Sequence, residues 1–272
     1  MNPESTIFML TKEELFYSLR FLQLPNLPGL GEKPFGDIEN NDLENLMEVT
    51  YRALISRQVL IHEPGKGFRL DKIISTALSV CAAPEQLIVT TYQRQQGPIW
   101  NIHEYFSEGL TVRQEIPMLG IFRFCIIEQK DVNPQLIVDI VNDTLASATD
   151  SEQTARISFK ICSSEFEEIR QKSRTDKDES LKMLAKMNID IKHAENFIEI
   201  FTALDFRLTM QSFIQSPPSD QTAQYVLSVA LANGHWWLIQ GDGQPNGDLE
   251  VEQATLDGVS NAIESIYSHV GV

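Results

Sequence analysis

The sequence predicts an α+β protein of two similar halves, each with helices, an antiparallel meander of strands and a closing helix. The first observation behind this is a change of hydrophobic period in each half, from the 3.6 residues of an amphipathic helix to the 2 residues of a half-buried strand. The second is that the same order of helical and strand-like segments occurs twice in 272 residues. We therefore expect the two halves to be related by a pseudo-twofold axis.

The first half, residues 1–148, begins with helical segments. Thr11 precedes Glu14 by three residues, a capping-box pattern, and apolar residues then follow at helical spacing. A Pro- and Gly-rich connector leads to a second helix, and residues 59–70 predict a short hairpin before the third helix. Asn133 and the proline after it then start a closing helix. The predicted meander between the third and closing helices has strands at 87–92, 99–106, 110–116 and 120–128.

The second half, residues 149–272, repeats this order. A polar stretch over residues 147–154 separates the halves, so the predicted domains are 1–148 and 149–272, with a single continuous domain as the alternative. Asn233 and Gly234 form the strongest hairpin signal, because both residues accept the positive φ of a type I′ turn. The predicted helices are 163–173, 178–188, 190–203 and 256–270, and the predicted strands are 206–214, 224–232, 235–240 and 248–253.

Composition limits the classes of partner. The chain has 22 Lys and Arg against 38 Asp and Glu, so its formal net charge is −16, which repels nucleic acid and anionic membrane surfaces. Its three cysteines form no C-x-x-C pair, which favours a reducing compartment. The N-terminus lacks an export-signal pattern, and no apolar stretch is long enough to span a bilayer. We expect a cytoplasmic protein that binds neither nucleic acid nor membranes; the oligomeric state is open.

One segment also fits a DNA-binding pattern. The helix near residues 42–57 and the hairpin after it are similar to the end of a winged helix, with Arg52, Arg57, Lys66 and Arg69 as basic contacts. Four acidic residues offset these charges, which argues against DNA binding. They are Glu44, Glu48, Glu63 and Asp71.

The sequence contains no catalytic, cofactor-binding or metal-binding signature. His103 and Glu104 begin an H-E pair, but residue 107 is Ser107, so the second histidine of a zinc-protease helix is absent. There is also no phosphate-binding loop and no dinucleotide fingerprint. We expect no enzymatic activity and no cofactor, with an enzyme of unrecognised type as an alternative.

The C-terminal region offers candidate partner-binding residues. From Asp205 onward the chain has one basic and eight acidic residues. Their net charge of 1 − 8 = −7 could attract a basic partner. Trp236 and Trp237 fall on opposite faces of one predicted strand, so one should enter the core while the other faces outward or meets another layer. Together with Phe213 they are the predicted partner-binding residues, full burial under a helix being the alternative for the tryptophans.

Four stretches together carry a family resemblance: LTKEELFYSLRFLQLPNLPGLG, LISRQVLI, LDKIISTALSVCAAPEQLIV and YVLSVALANGHWWLIQGDG, the last followed by a final helix. In order, length and hydrophobic rhythm this chain resembles the EspG family of type VII (ESX) secretion chaperones. The resemblance implies a cytosolic protein of two α+β halves about a quasi-twofold axis. It also implies binding of the apolar tip of a helical secretion substrate, which is thereby kept soluble without cofactor or turnover.

The expected function is therefore that of a non-enzymatic, EspG-like chaperone or adaptor. The main alternative is an acidic immunity or inhibitor protein that neutralises a basic toxin through the acidic C-terminal region. Salt separates the two, because association driven by charge weakens steeply with ionic strength, whereas capture of an apolar tip does not.

Overall fold

The computed structural model describes residues 6–145, 157–214, 222–244 and 246–270. The protein is mixed α and β, with a large antiparallel sheet and helices. The chain divides into two compact units, Met1–Leu87 with Ile102–Val132, and Ile88–Asn101 with Asn133–Val272. The predicted domain boundary between residues 148 and 149 lies outside the described residues and stays a prediction. No helix in the described ranges is both long and apolar enough to cross a membrane.

The helices and strands follow the predicted order, with two additional strands. Up to residue 145 the elements are β1 (Thr6–Thr11), α1 (Lys12–Phe21), α2 (Asn40–Ser56), β2 (Leu60–Glu63), β3 (Gly67–Leu70), α3 (Lys72–Ala82), β4 (Gln86–Arg94), β5 (Ile99–Ser107), β6 (Leu110–Met118), β7 (Ile121–Glu128) and α4 (Gln135–Leu145). From residue 158 they are β8 (Ser158–Cys162), α5 (Ser163–Lys172), α6 (Lys177–Lys186), α7 (Ile191–Thr202), β9 (Leu204–Ile214), β10 (Thr222–Ala232), β11 (His235–Gly241), β12 (Asp248–Ala254) and α8 (Leu256–His269). The strands β4 and β5 each carry residues of both units.

The strands of the first unit lie in the order β1-β7-β6-β5 and pair antiparallel. One face, which we call the inner face, carries apolar residues such as Leu10 opposite Phe122 and Phe8 stacked on Phe124 at 5.0 Å. The connector after α1 packs on this face, where Gln114 Nε2 donates to the carbonyl of Pro28 at 2.9 Å. The opposite, outer face begins at the edge with Ile7 and Met9.

The second unit orders its strands as β4-β9-β10-β11-β12-β8. Helix α7 contacts β9, β10 and β11, and helix α8 contacts β10, β11 and β12. The core around α7 includes Phe197, Trp237 and Val251, all fully buried. Residues that alternate with this set point to the other face, so the sheet of this unit buries apolar side chains on both faces.

Two local signals of the sequence are confirmed in atomic detail. Glu14 N–H donates to Thr11 Oγ1 at 3.2 Å and Thr11 N–H donates to Glu14 Oε2 at 2.9 Å, which completes the predicted capping box of α1. At the β10–β11 turn, Asn233 has φ 50° and Gly234 φ 77°, as the predicted hairpin requires.

The strands β1 and β8 are absent from the sequence prediction. Each leads directly into a helix, and each pairs with the last strand of its meander, β1 with β7 and β8 with β12. Their partners lie far away along the chain, so no turn residues beside them mark the pairing. Each strand lies at the end of the strand order given for its unit.

The same local geometry recurs in both halves of the sequence. Helices α2 and α6 each end before a residue of positive φ, Gln58 at 59° and Asn188 at 62°. The next amide then donates back into the helix, from Val59 to the carbonyl of Leu54 at 2.9 Å and from Ile189 to that of Leu184 at 3.3 Å. In the first half the hairpin β2–β3 follows this cap, whereas in the second half the next helix starts at once.

Candidate protein-binding surface

Both tryptophans of β11 are buried. Trp237 has no exposed surface and packs on Phe197 of α7 at 5.1 Å, while Trp236 is 6% exposed and packs on Phe206 of β9 at 6.0 Å. Of the two placements left open for the second tryptophan, the structure has the buried one, because both faces of β11 meet another layer. Phe213 is half-buried in β9. The partner-binding role of these three residues stays a prediction.

Exposed apolar side chains occur instead at the edge of the first unit. On β1, Ile7 is 46% exposed and Met9 is 48% exposed. They lie on the outer face, opposite Cys125 and Arg123 of β7. At the end of the same strands the β6–β7 turn exposes Met118 and Leu119. We call Ile7, Met9, Met118, Leu119 and the half-buried Ile121 the β1–β7 strip.

Charged groups beside the β1–β7 strip are paired. Arg123 Nη1 lies 3.1 Å from Glu115 Oε2 on the neighbouring strand β6. Arg57 from the end of α2 forms an ion pair with Glu14 and also donates to the carbonyl of Met9 at 2.9 Å. These contacts neutralise the flanks, so the strip presents an apolar surface of low local charge. Such a surface binds apolar side chains of another protein more readily than a polar or ionic ligand.

The buried titratable groups of the first unit do not form an accessible reactive site. Burial lowers the pKa of His103 to about 4 and raises the pKa values of Cys81 and Tyr105 well above their ordinary values. The Tyr105 hydroxyl donates to Gln114 Oε1 at 2.8 Å inside the core. Within the described ranges no group of three or more His, Cys, Asp or Glu residues could hold a metal ion.

The basic side chains of the winged-helix alternative are paired with carboxylates. Arg52 Nη2 lies 2.7 Å from Glu48 Oε1, and Arg57 pairs with Glu14. In the β2–β3 hairpin, Glu63 pairs with Lys66 at 3.7 Å and also with Arg69. The predicted offset of charge is therefore a set of direct contacts, although Glu14 and a doubly paired Glu63 take the places expected for Glu44 and Asp71. This pairing leaves little free positive charge for a phosphate backbone.

The fold is that of a known secretion chaperone. The chain is similar to the structure of the Mycobacterium tuberculosis type VII secretion system chaperone EspG5 in complex with the PE25-PPE41 dimer. The TM-score is 0.68, with 12% sequence identity and coverage of 95% of each chain. The resemblance to the EspG family predicted from the sequence is thus confirmed at the level of the fold. No protein-family model matches the sequence, and no curated protein is similar to it in sequence.

Sequence reasoning missed the β1–β7 strip. The available signal is the alternation of TIFMLT, in which Ile7 and Met9 alternate with Phe8 and Leu10, so that apolar residues lie on both faces of the strand. A strand of this kind predicts burial on both sides, or one face kept free for another molecule. Deciding between the two needs the tertiary structure, because the covering layer is distant in sequence.

Proposed function

We propose that this protein is a non-enzymatic, EspG-like chaperone or adaptor that shields the apolar tip of a helical secretion substrate in the cytosol. The observation that carries the proposal is the likeness of fold to a chaperone solved with a bound protein dimer, which extends over 95% of both chains. A likeness of this extent includes the arrangement of most helices and strands, and function depends on the surfaces that those elements present.

The β1–β7 strip supplies the contact surface in this proposal. An exposed apolar helix tip aggregates in water, and an apolar sheet edge covers it reversibly because burial of both surfaces releases their hydration water. The net charge of −16 keeps the chain itself soluble while an apolar surface is open. The partner-binding role predicted for Trp236, Trp237 and Phe213 would need a rearrangement of buried tryptophans, whereas Ile7 and Met9 need none.

The repeated architecture belongs to the same proposal. Both halves begin with a strand that pairs with the last strand of the meander, and both repeat the same helix-end geometry. These similarities support two copies of one α+β module, as in the family that the sequence resembles. The pseudo-twofold axis stays a prediction.

Co-expression tests the proposal. We expect at least one small helical protein encoded beside this gene to become soluble and copurify with the wild-type chain. Met9→Asp and Ile7→Asp should abolish copurification, because a desolvated carboxylate opposes burial of the strip. Ile191→Asp is the matched control, since Ile191 is 67% exposed on a helix of the other unit. Thermal melting confirms that all variants fold.

Two outcomes contradict this proposal. The first is the absence of any soluble helical partner across the neighbouring genes. The second is loss of copurification by Ile191→Asp to the same degree as by Met9→Asp. Salt then separates the chaperone from the acidic inhibitor: affinity nearly constant between 50 and 500 mM NaCl supports apolar capture, and a steep fall supports charge neutralisation.

A further inference from the structure

Helix α2 leaves its apolar side only partly covered, since Leu43, Leu46, Met47 and Ile55 are half-buried. Of its 17 residues only Thr50 and Leu54 are buried, although the helix carries several large apolar side chains. Val49 is 64% exposed. A surface helix usually buries its apolar stripe against the core, so incomplete coverage over this length marks a surface able to accept a partner.

An open groove runs beside this helix. Its volume is about 490 Å³, within the size range of ligand-binding clefts. The groove is lined by Tyr17 of α1 and by Leu43, Glu44, Met47, Glu48 and Tyr51 of α2. Leu43 and Met47 are one helical turn apart and supply aliphatic surface, and the tyrosines contribute aromatic rings.

Aromatic contacts fix one wall of the groove. The rings of Tyr17 and Tyr51 lie 6.1 Å apart, and Tyr51 packs edge-on against Phe68 of β3 at 5.4 Å. His62 of β2 packs on the same phenylalanine at 5.0 Å. This row of four rings ties α1, α2 and the hairpin together, so the tyrosines are held in place before any ligand binds.

The groove is negatively charged. Glu48 pairs with Arg52, but Glu44 is exposed and makes no hydrogen bond or ion pair with any described residue. The pKa of Tyr17 is raised, mainly by burial and further by Tyr51 and Glu48, which agrees with a local negative field. An apolar floor with aromatic walls and an unpaired carboxylate is complementary to an aliphatic side chain next to a cation.

We propose that the groove between α1 and α2 binds a positively charged amphipathic peptide segment of a partner protein. An aliphatic side chain of the segment packs on Leu43 and Met47, and a neighbouring Lys or Arg pairs with Glu44 against the tyrosine rings. An acidic segment and a phosphate backbone are both repelled by Glu44, whose charge no described residue neutralises. The groove shares no residue with the β1–β7 strip, so this inference does not rest on the proposed chaperone function.

Fluorescence anisotropy with a labelled Leu/Lys model helix tests the groove. We expect the wild-type chain to bind this peptide and to bind a Leu/Glu peptide of the same pattern at least tenfold more weakly. Glu44→Lys should weaken Leu/Lys binding about tenfold, because it removes one attraction and adds one repulsion. Met47→Asp should weaken it by a similar factor through loss of the apolar floor.

A control variant separates the effect of net charge on affinity from a specific effect at the groove. Glu195→Lys is the matched control, because Glu195 is an exposed helical carboxylate in the other unit and the substitution changes the net charge equally. We expect it to change the affinity less than twofold. Equal weakening by Glu195→Lys and Glu44→Lys overturns the proposal, as does an unchanged affinity in Met47→Asp.

A second copy of the chain is the competing occupant. Sedimentation of the protein without peptide measures its oligomeric state. A dimer that dissociates on Glu44→Lys would assign the groove to self-association and overturn the proposal. A state of association unchanged by Glu44→Lys, together with peptide binding lost in that variant, supports it.

Discussion

His103 illustrates how a single buried side chain makes stability depend on pH. It lies in β5 on the inner face, opposite Gln114 and stacked on Tyr105 at 6.2 Å. Its Nδ1 atom is buried without a hydrogen-bond partner among the described residues. Burial disfavours the charged imidazolium, which lowers the pKa to about 4. The sequence assigned this residue a structural role in a strand, and the strand is confirmed.

We predict that His103 destabilises the protein in mild acid. The unfolded chain titrates this imidazole near its usual value of about 6.5, so between that pH and 4 the unfolded state binds more protons than the folded state. The stabilising contribution of the neutral His103 side chain is fully present above pH 6.5 and is lost as the pH falls from 6.5 toward 4. The loss between pH 7 and pH 4.5 should be about 2 to 3 kcal/mol.

Urea denaturation at the two pH values measures this loss. His103→Gln should reduce the difference in unfolding free energy between pH 7 and pH 4.5 by about 2 to 3 kcal/mol relative to wild type. His62→Gln, at an exposed position, should leave the wild-type difference intact. An unchanged difference in His103→Gln would mean that this side chain is solvated in the folded protein.

At the scale of elements, the β2–β3 hairpin marks a difference between the two halves of the sequence. It forms its own two-stranded sheet between the end of α2 and the start of α3. The amide of Asp71 donates to the carbonyl of Val59 at 2.8 Å, so the two ends of the hairpin meet. In the second half Ile189 is followed directly by Asp190, which caps α7 as Asp71 caps α3. The chain therefore contains both a version with the hairpin and one without it.

We predict that residues 60–70 can be deleted, with Val59 joined to Asp71, while the protein still folds. The deletion removes the buried Leu60 and Leu70, so the unfolding free energy should fall by at least about 4 kcal/mol. Calorimetry should still show a cooperative transition at a lower temperature. As a control, deletion of residues 228–238, which lie in core strands, should abolish it. Loss of the transition in both deletions would show that the hairpin is required for folding.

The parts of the fold that sequence predicts are those whose signals are local. The helix start at Thr11 and the turn at Asn233 depend on hydrogen bonds and dihedral angles within a few residues, and both are present. The strand β1 and the burial of Trp236 depend on layers contributed from distant sequence. The candidate surface at Ile7 and Met9 falls in this second class, because its exposure results from which face of the sheet remains uncovered.

At the scale of the whole molecule, negative charge exceeds positive charge by 16. The thirteen ion pairs found in the described ranges are mostly short-range contacts at the surface, which contribute little individually. Repulsion among the remaining carboxylates opposes the compact state. The pKa of Tyr225 is raised, mainly by burial and further by the negative charges of Glu250 and Glu252 on β12.

We predict that salt stabilises the protein. Raising NaCl from 50 to 500 mM shortens the screening length and should raise the melting temperature by several degrees, because repulsion weakens more than the exposed ion pairs do. Glu250→Gln combined with Glu252→Gln should raise the melting temperature at low salt and reduce the response to NaCl. Differential scanning fluorimetry measures both effects. A melting temperature that falls with salt would show that ion pairs outweigh repulsion.

The pairing of β1 with β7 has a consequence for synthesis on the ribosome. Thr6 pairs with Ile126, so β1 leaves the exit tunnel 120 residues before the segment with which it pairs. Until β7 is made, the apolar sequence TIFMLT of the nascent chain is unpaired, so chaperones can bind it or it can misfold. Slower translation just after β7 would give this late pairing time to occur before the strands from β8 onward emerge.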